Sequence, residues 1–283
     1  MRIARTTALV GAAALLMSAL GTTAASASTD RTRLHLLTSD GVLSTRSWSS
    51  PLLSQQRVRI TGLKARDRLI GLDVRPASGA LYAISASGQL YVLDPRTGKA
   101  TAVGAPTAIT GTAVGFDFNP TVDRIRLVTT SGQNLRLHPD TGAVAAIDTP
   151  LAYAPADRAA GSTPQVSGAG YTNSVAGATS TTLYDLDSRK DTLVTQGTAA
   201  GAMPVVSPNT GQLFTVGKLG VDFDRTNGFD IATVDGRQHA MAAVQPSFSL
   251  LGGTLLVKVD LSSGRASVVG GAGGDVVGLA FAR

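Results

Sequence analysis

Apolar positions along this chain come in short or alternating runs separated by Gly, Pro, Ser and Asp turns, the pattern of closely spaced β-strands. Between residues 69 and 104 the pattern predicts four strands: a over Leu69 to Val74, b over Leu81 to Ser85, c over Gln89 to Leu93 and d over Lys99 to Val103. The same order recurs without a gap 44 positions later, over residues 113 to 148. Gly71 then falls on Gly115, Asp73 on Asp117, Pro76 on Pro120, Gly88 on Gly132, and Thr97-Gly98 on Thr141-Gly142. A four-stranded unit at that period is the size of one propeller blade.

The turn from c to d marks further copies. Asp94-Pro95-Arg96-Thr97-Gly98 returns as His138 to Gly142, Ser207 to Gly211 and Asp260 to Gly264, with a final Gly that suits a positive φ. A degenerate blade is read with a over Gly168 to Asn173, b over Thr181 to Asp187 and c over Thr192 to Gln196; another begins at Gly228-Phe229-Asp230. The N-terminus supplies only b, c and d, because Leu34 to Leu43 matches b and c while nothing before it resembles a. The missing strand is at the other end, where Val276 to Phe281 repeats the Ile70 to Val74 pattern. Pairing the two ends closes the ring and removes two sheet edges. The fold expected is an all-β propeller of about five four-stranded blades, with six as the alternative if residues 149 to 227 hide another.

Residues 1 to 27 read as a secretory signal peptide: Arg2 and Arg5, an apolar run from Ala8 to Leu20, then Ala25-Ser26-Ala27 as the cleavage site. This leaves residues 28 to 283 as a single exported propeller domain. Losing two arginines lowers the formal charge from +6 to +4, and the Lys and Arg residues that remain are scattered. That argues against nucleic acid and allows contact with an anionic envelope polymer. With no cysteine, disulfides, thiolate metal sites and cysteine lipidation are excluded. No stretch of the remaining chain approaches the roughly 18 apolar residues of a membrane span.

Gly115-Phe116-Asp117-Phe118-Asn119-Pro120, Val122 to Arg126, Gly132 to Arg136, Ala169 to Asn173, Thr182 to Asp187 and Leu219 to Phe223 together resemble an exported bacterial family known only as domain of unknown function number 4394. The resemblance runs over roughly residues 36 to 281. It implies a propeller-like fold and carries no assigned activity or catalytic residue.

Strand a lines the channel of a propeller, and here it repeats Gly, apolar, Asp at Asp73, Asp117 and Asp230, with Gly170-Tyr171-Thr172 and Gly278-Leu279-Ala280 as variants. Three carboxylates with Thr172 and Asn173 would suit a calcium ion on the axis. The competing reading has each Asp accept backbone hydrogen bonds from the next blade. Asn119, Asp123, Arg124, Arg126 and Arg136 form the densest polar cluster, read either as a clamp for a carboxylate or phosphate or as inter-blade salt bridges. His35, Tyr82, Arg126 and His239 take equivalent b positions in separate blades, so the histidines do not converge. The long connections Thr149 to Gln165, with Tyr153 and Arg158, and Lys218 to Asn227, with Asp222, Asp224 and Arg225, suit recognition as well as they suit tolerated insertion.

These features favour a monomeric exported binding module that uses its loop face to hold an envelope polymer or protein. The sole tryptophan, Trp48, lies outside the repeated positions, which disfavours a sugar-stacking platform. One alternative is a calcium-dependent lactonase-, esterase- or lyase-like enzyme built on the three aspartates, but no general base accompanies them. The other is a secreted scaffold without a small-molecule site.

Overall fold

The computed structural model describes residues 32–247 and 253–282. The segment read as a signal peptide lies outside the described residues. Among the described residues, twenty-one strands form five sheets. Blade 1 has β1 (Arg33–Thr38), β2 (Val42–Ser47) and β3 (Ser50–Arg59), and blade 2 runs outward as β4 (Leu69–Val74), β5 (Leu81–Ser85), β6 (Leu90–Leu93) and β7 (Ala100–Val103). Blade 3 is β8 (Val114–Asn119), β9 (Arg124–Thr129), β10 (Asn134–Leu137) and β11 (Val144–Ile147). In blade 4, β12 (Ala152–Tyr153) is outermost and β13 (Val166–Tyr171), β14 (Leu183–Asp187), β15 (Thr192–Gln196) and β16 (Gln212–Lys218) follow the usual order. Blade 5 is β17 (Phe223–Val234), β18 (Arg237–Pro246), β19 (Leu255–Val259) and β20 (Ala266–Gly271). β21 (Val276–Ala282) completes blade 1 by pairing with β1, Leu34 opposite Phe281 and Leu36 opposite Leu279.

The protein is therefore a five-bladed propeller closed by its two ends. Residues 149 to 227 hold no sixth blade; they hold β12, which adds to blade 4 in parallel with β16. The connection read over Lys218 to Asn227 is also largely strand, because β17 starts at Phe223. Register shifts between Phe223 and Arg225 and between Thr226 and Phe229 interrupt its two-residue period, which conceals that strand in the sequence. The final glycines of the c-to-d turns, Gly98, Gly142, Gly211 and Gly264, have φ of 77°, 67°, 68° and 78°.

Apolar packing lies between blades. Each of five clusters draws on two neighbours; Leu36 of blade 1 meets Met241 and Leu256 of blade 5, for example, and Tyr82 of blade 2 meets Phe118 and Leu127 of blade 3. Burying such side chains contributes about 1.5–3 kcal/mol each. The cluster between blades 3 and 4 takes only Val128 from blade 3, because polar groups fill the rest of that interface.

At the axis, Gly71, Gly115, Gly168, Gly228 and Gly278 form a ring. A Cβ on Gly115 would lie 2.7 Å from Ala169 Cβ, one on Gly168 3.0 Å from Phe229 Cβ, and one on Gly278 2.7 Å from Leu72 Cβ. The space left around this ring is about 10 Å³, no more than the least that one water needs. Gly115→Val should thus force apart blades 3 and 4 and lower stability by about 3 kcal/mol or more, since overpacking a filled site costs at least 1–3. A chemical-denaturation midpoint within error of wild type would contradict the close-approach argument.

Candidate axial carboxylate site

Two residues after each glycine of the ring, on the same face of the inner strand, comes a second inward position, filled by Asp73, Asp117, Gly170, Asp230 and Ala280. Asp73, Asp117 and Asp230 occupy three of these positions, and each offers a carboxylate oxygen within 4.8 Å of the others. All three are buried, at 2%, 1% and 3% exposure. Each also fastens the next blade. Phe118 N donates to Asp73 Oδ2 at 2.7 Å, Tyr171 N to Asp117 Oδ1 at 3.0 Å, and Phe281 N to Asp230 Oδ2 at 2.6 Å. The inter-blade stitching anticipated for these residues is present.

The stitching also corrects the alignment of blade 4. Since Tyr171 takes the place of Phe118 and Phe281, the residue equivalent to Asp is Gly170 and the ring glycine is Gly168. Gly168-Ala169-Gly170 permits two registers two residues apart, which a period of two cannot separate. Thr172 and Asn173 accordingly leave the axial set. Thr172 Oγ1 accepts from Thr182 N at 2.8 Å, and Asn173 exchanges hydrogen bonds with Gln238 of blade 5 at 2.8 and 3.1 Å. Likewise Met241, not His239, stands opposite Asp230, as Tyr82 stands opposite Asp73 and Arg126 opposite Asp117.

A chamber of about 150 Å³ opens over this site, with Asp230 among its lining residues. Val74, Ile231 and Phe281 supply apolar wall, and Arg75, Ser174 and Thr233 supply polar wall. The chamber is on the face of the a-to-b turns, opposite the face that carries the long connections. Burial, reinforced by the Asp230 charge, holds the Asp73 carboxyl well above the usual carboxylate range. Burial and the charges of Asp73 and Asp230 do the same to Asp117, and burial pushes Asp230 up to about 6.

The other polar cluster is spent on structure. Arg126, 1% exposed, donates to Asp148 Oδ2 at 2.6 Å, Asn134 Oδ1 at 2.7 Å, Asn209 Oδ1 of blade 4 at 2.7 Å and Tyr171 Oη at 3.3 Å. Arg136 shares Asp148, and Asp123 pairs with Arg75 of the preceding blade. Asn119 Oδ1 accepts from Thr121 N at 2.9 Å in its own turn, and Arg124 donates to the Asp123 carbonyl at 2.9 Å. None of these groups reaches the axis or forms an anion clamp. The histidines disperse as expected; His35 is buried against Thr45, and His239 packs on Trp48 with ring centroids 5.2 Å apart.

Sequence reasoning missed Asp185. Neither of its carboxylate oxygens has a hydrogen-bond partner, and burial pushes it up to about 8 against the opposing pull of Arg126. The available signal was its parity with Leu183, which places a carboxyl on a core-facing side of β14. A carboxyl raised in the fold favours folding while protonated in both states, and the advantage fades as pH rises from the unfolded value through the folded one. Below about 6.5, buried neutral His35, lowered to about 4, acts in the opposite direction. Between pH 6.5 and 9 the denaturation midpoint should therefore fall, and Asp185→Asn should flatten that fall. A pH-independent wild-type midpoint over this window would show that Asp185 is not carrying a proton.

A family model described as a domain of unknown function, DUF4394, matches residues 42–280. No curated protein matches the chain. Among solved structures, the chain is similar to one in a nidogen/laminin complex, at 12% identity and a TM-score of 0.50, with 89% of this chain and 98% of that chain covered. It is also similar to a structural-genomics protein of unknown function from Bacteroides thetaiotaomicron VPI-5482, at 16% identity and a TM-score of 0.48, covering 85% of this chain and 55% of that one. The Dos1 propeller matches at 13% identity and a TM-score of 0.38, over 80% and 53% of the respective chains. The chain thus spans about half the length of the last two, and at these identities the likeness concerns fold alone.

Proposed function

The chain belongs to the DUF4394 family, a domain of unknown function, and on that premise we propose that it is an exported binding module whose ligand enters the axial chamber over Asp73, Asp117 and Asp230. The observation that carries this reading is a 150 Å³ chamber lined by Asp230, a member of the one convergent set of three carboxylates among the described residues. The export part rests on the N-terminal basic, apolar and small-residue sequence. No helix among the described residues is long and apolar enough to cross a membrane.

The carboxylates are close enough together to share a hard cation such as calcium. Two oxygens on one calcium at about 2.4 Å lie at most about 4.8 Å apart, and each pair among the three aspartates keeps within that limit. An oxygen already accepting one N–H keeps a second lone pair for a metal. Burial first and mutual repulsion second raise Asp73 and Asp117, and a cation would relieve the repulsion. Against the lactonase or esterase alternative, Arg75 is already paired to Asp123 and Asp140, and neither His nor Lys lines the chamber. Thr233 Oγ1 donates to Gln238 Oε1 at 3.2 Å, and the carboxyl that lines the chamber, Asp230, accepts from the amides of Ile231 and Phe281.

Calcium at 100 times its Kd should stabilise the protein by about 2.7 kcal/mol, a melting-temperature rise of about 5–10 °C for a domain of this size. Asp73→Asn/Asp117→Asn/Asp230→Asn keeps acceptors for the stitching amides and should abolish the rise. The effect should grow from pH 6 to pH 8, as protons stop competing for the carboxylates. A melting temperature indifferent to both calcium and chelator removes the cation. Turnover of a lactone and ester panel that is lost in the triple variant would reinstate the enzyme.

A further inference from the structure

We propose that a groove on blade 4, on the face opposite the axial chamber, binds a phosphate-bearing polyanion. The groove measures about 630 Å³ and carries four cationic side chains from three separate segments: Arg158, Arg189, Lys190 and Lys218. Arg189 and Lys190 sit in the turn between β14 and β15, Lys218 ends β16, and Arg158 comes from the long connection after β12. None of the four forms an ion pair among the described residues, whereas Arg75, Arg126 and Arg136 elsewhere all do.

The connection that brings Arg158 here is built in. Tyr153 Oη donates to Asp187 Oδ2 at 2.5 Å, and Ala154 N donates to the Leu213 carbonyl at 2.9 Å. Asp157 accepts from Thr215 N at 2.6 Å and from Thr215 Oγ1 at 2.7 Å. A loosely tolerated insertion would not be tied to its blade by a buried tyrosine, a parallel strand and a doubly engaged carboxylate. These ties fix the backbone one residue before Arg158 and leave its guanidinium exposed in the groove.

The nearby carboxylates are committed to the frame. Asp157 serves Thr215, Asp187 serves Tyr153 and the amides of Gln165 and Arg189, and Asp191 accepts from Phe223 N at 3.1 Å. The cations are left for a ligand. The two guanidinium forks can match phosphate or carboxylate oxygens bidentately, and the two lysines beside them add point charges of the kind that bind phosphate, which favours phosphate here. An exposed charge pair contributes little by itself, so useful affinity in an open groove needs several contacts at once. A chain with repeated phosphates meets that need, and a single phosphate does not.

Inorganic polyphosphate is the probe, titrated calorimetrically in chelator so that the result is independent of any axial cation. Wild type should bind it with log affinity falling linearly in log salt, and orthophosphate should bind far more weakly. Arg158→Gln/Arg189→Gln/Lys190→Gln/Lys218→Gln should lose about tenfold or more. The charge-matched Arg57→Gln/Arg66→Gln/Lys99→Gln/Arg265→Gln variant, altered at exposed sites elsewhere, should stay within about twofold of wild type. Should the groove variant fail to fold, Arg189→Gln/Lys190→Gln, confined to one turn, should still lose about threefold or more. Equal losses in the two quadruple variants, no wild-type binding at low salt, or binding to anionic phospholipid vesicles but not to polyphosphate would each overturn the proposal.

Discussion

The structure depends on how closely five inner strands can approach one another around an axis. Any side chain at the ring position would collide with the backbone or Cβ of the next blade, so glycine occupies all five. Two residues on, the same geometry brings a carboxylate of one blade to an amide of the next at three of the five junctions. Sterics therefore set the radius of the ring, and hydrogen bonds from backbone amides to these buried carboxyls set the angular position of its blades. Three buried acids are retained because their amide partners offset part of the desolvation that would otherwise expel them.

The five junctions are not alike. Four are apolar wedges, while the junction of blades 3 and 4 is built around Arg126 and its partners on both blades. Guanidinium is tolerated there because its donors are matched, with Asp148 supplying the countercharge. Asp185 has no such match and answers by holding its proton. The two carboxyls differ in burial and in partners, and together these decide their charge.

The two faces of the ring offer opposite chemistry. The a-to-b connections surround an acidic-floored chamber on the axis, whereas the opposite face gathers, at the rim of blade 4, cations that form no ion pair among the described residues. A propeller can keep such sites apart because its sheets are rigid and its core lies between blades. Substitutions at one site need not disturb the other.

The blade period, the closure of C-terminal strand on N-terminal blade, the c-to-d turn glycines and the recurrence of Asp73, Asp117 and Asp230 were all legible in the chain. Each is a local pattern or a repeat, and repeats force equivalent residues into equivalent places. The register of blade 4 was not legible, because Gly168 and Gly170 are interchangeable to a two-residue period; the bond from Tyr171 to Asp117 distinguishes them. The bulges of β17, the outer strand β12 and the lone burial of Asp185 also escaped it. They arise where blades meet, so their energies depend on neighbours distant in sequence. The sequence by itself determined which residues repeat, and the tertiary structure decided which of them touch, because contact across a blade junction depends on the relative placement of two sheets.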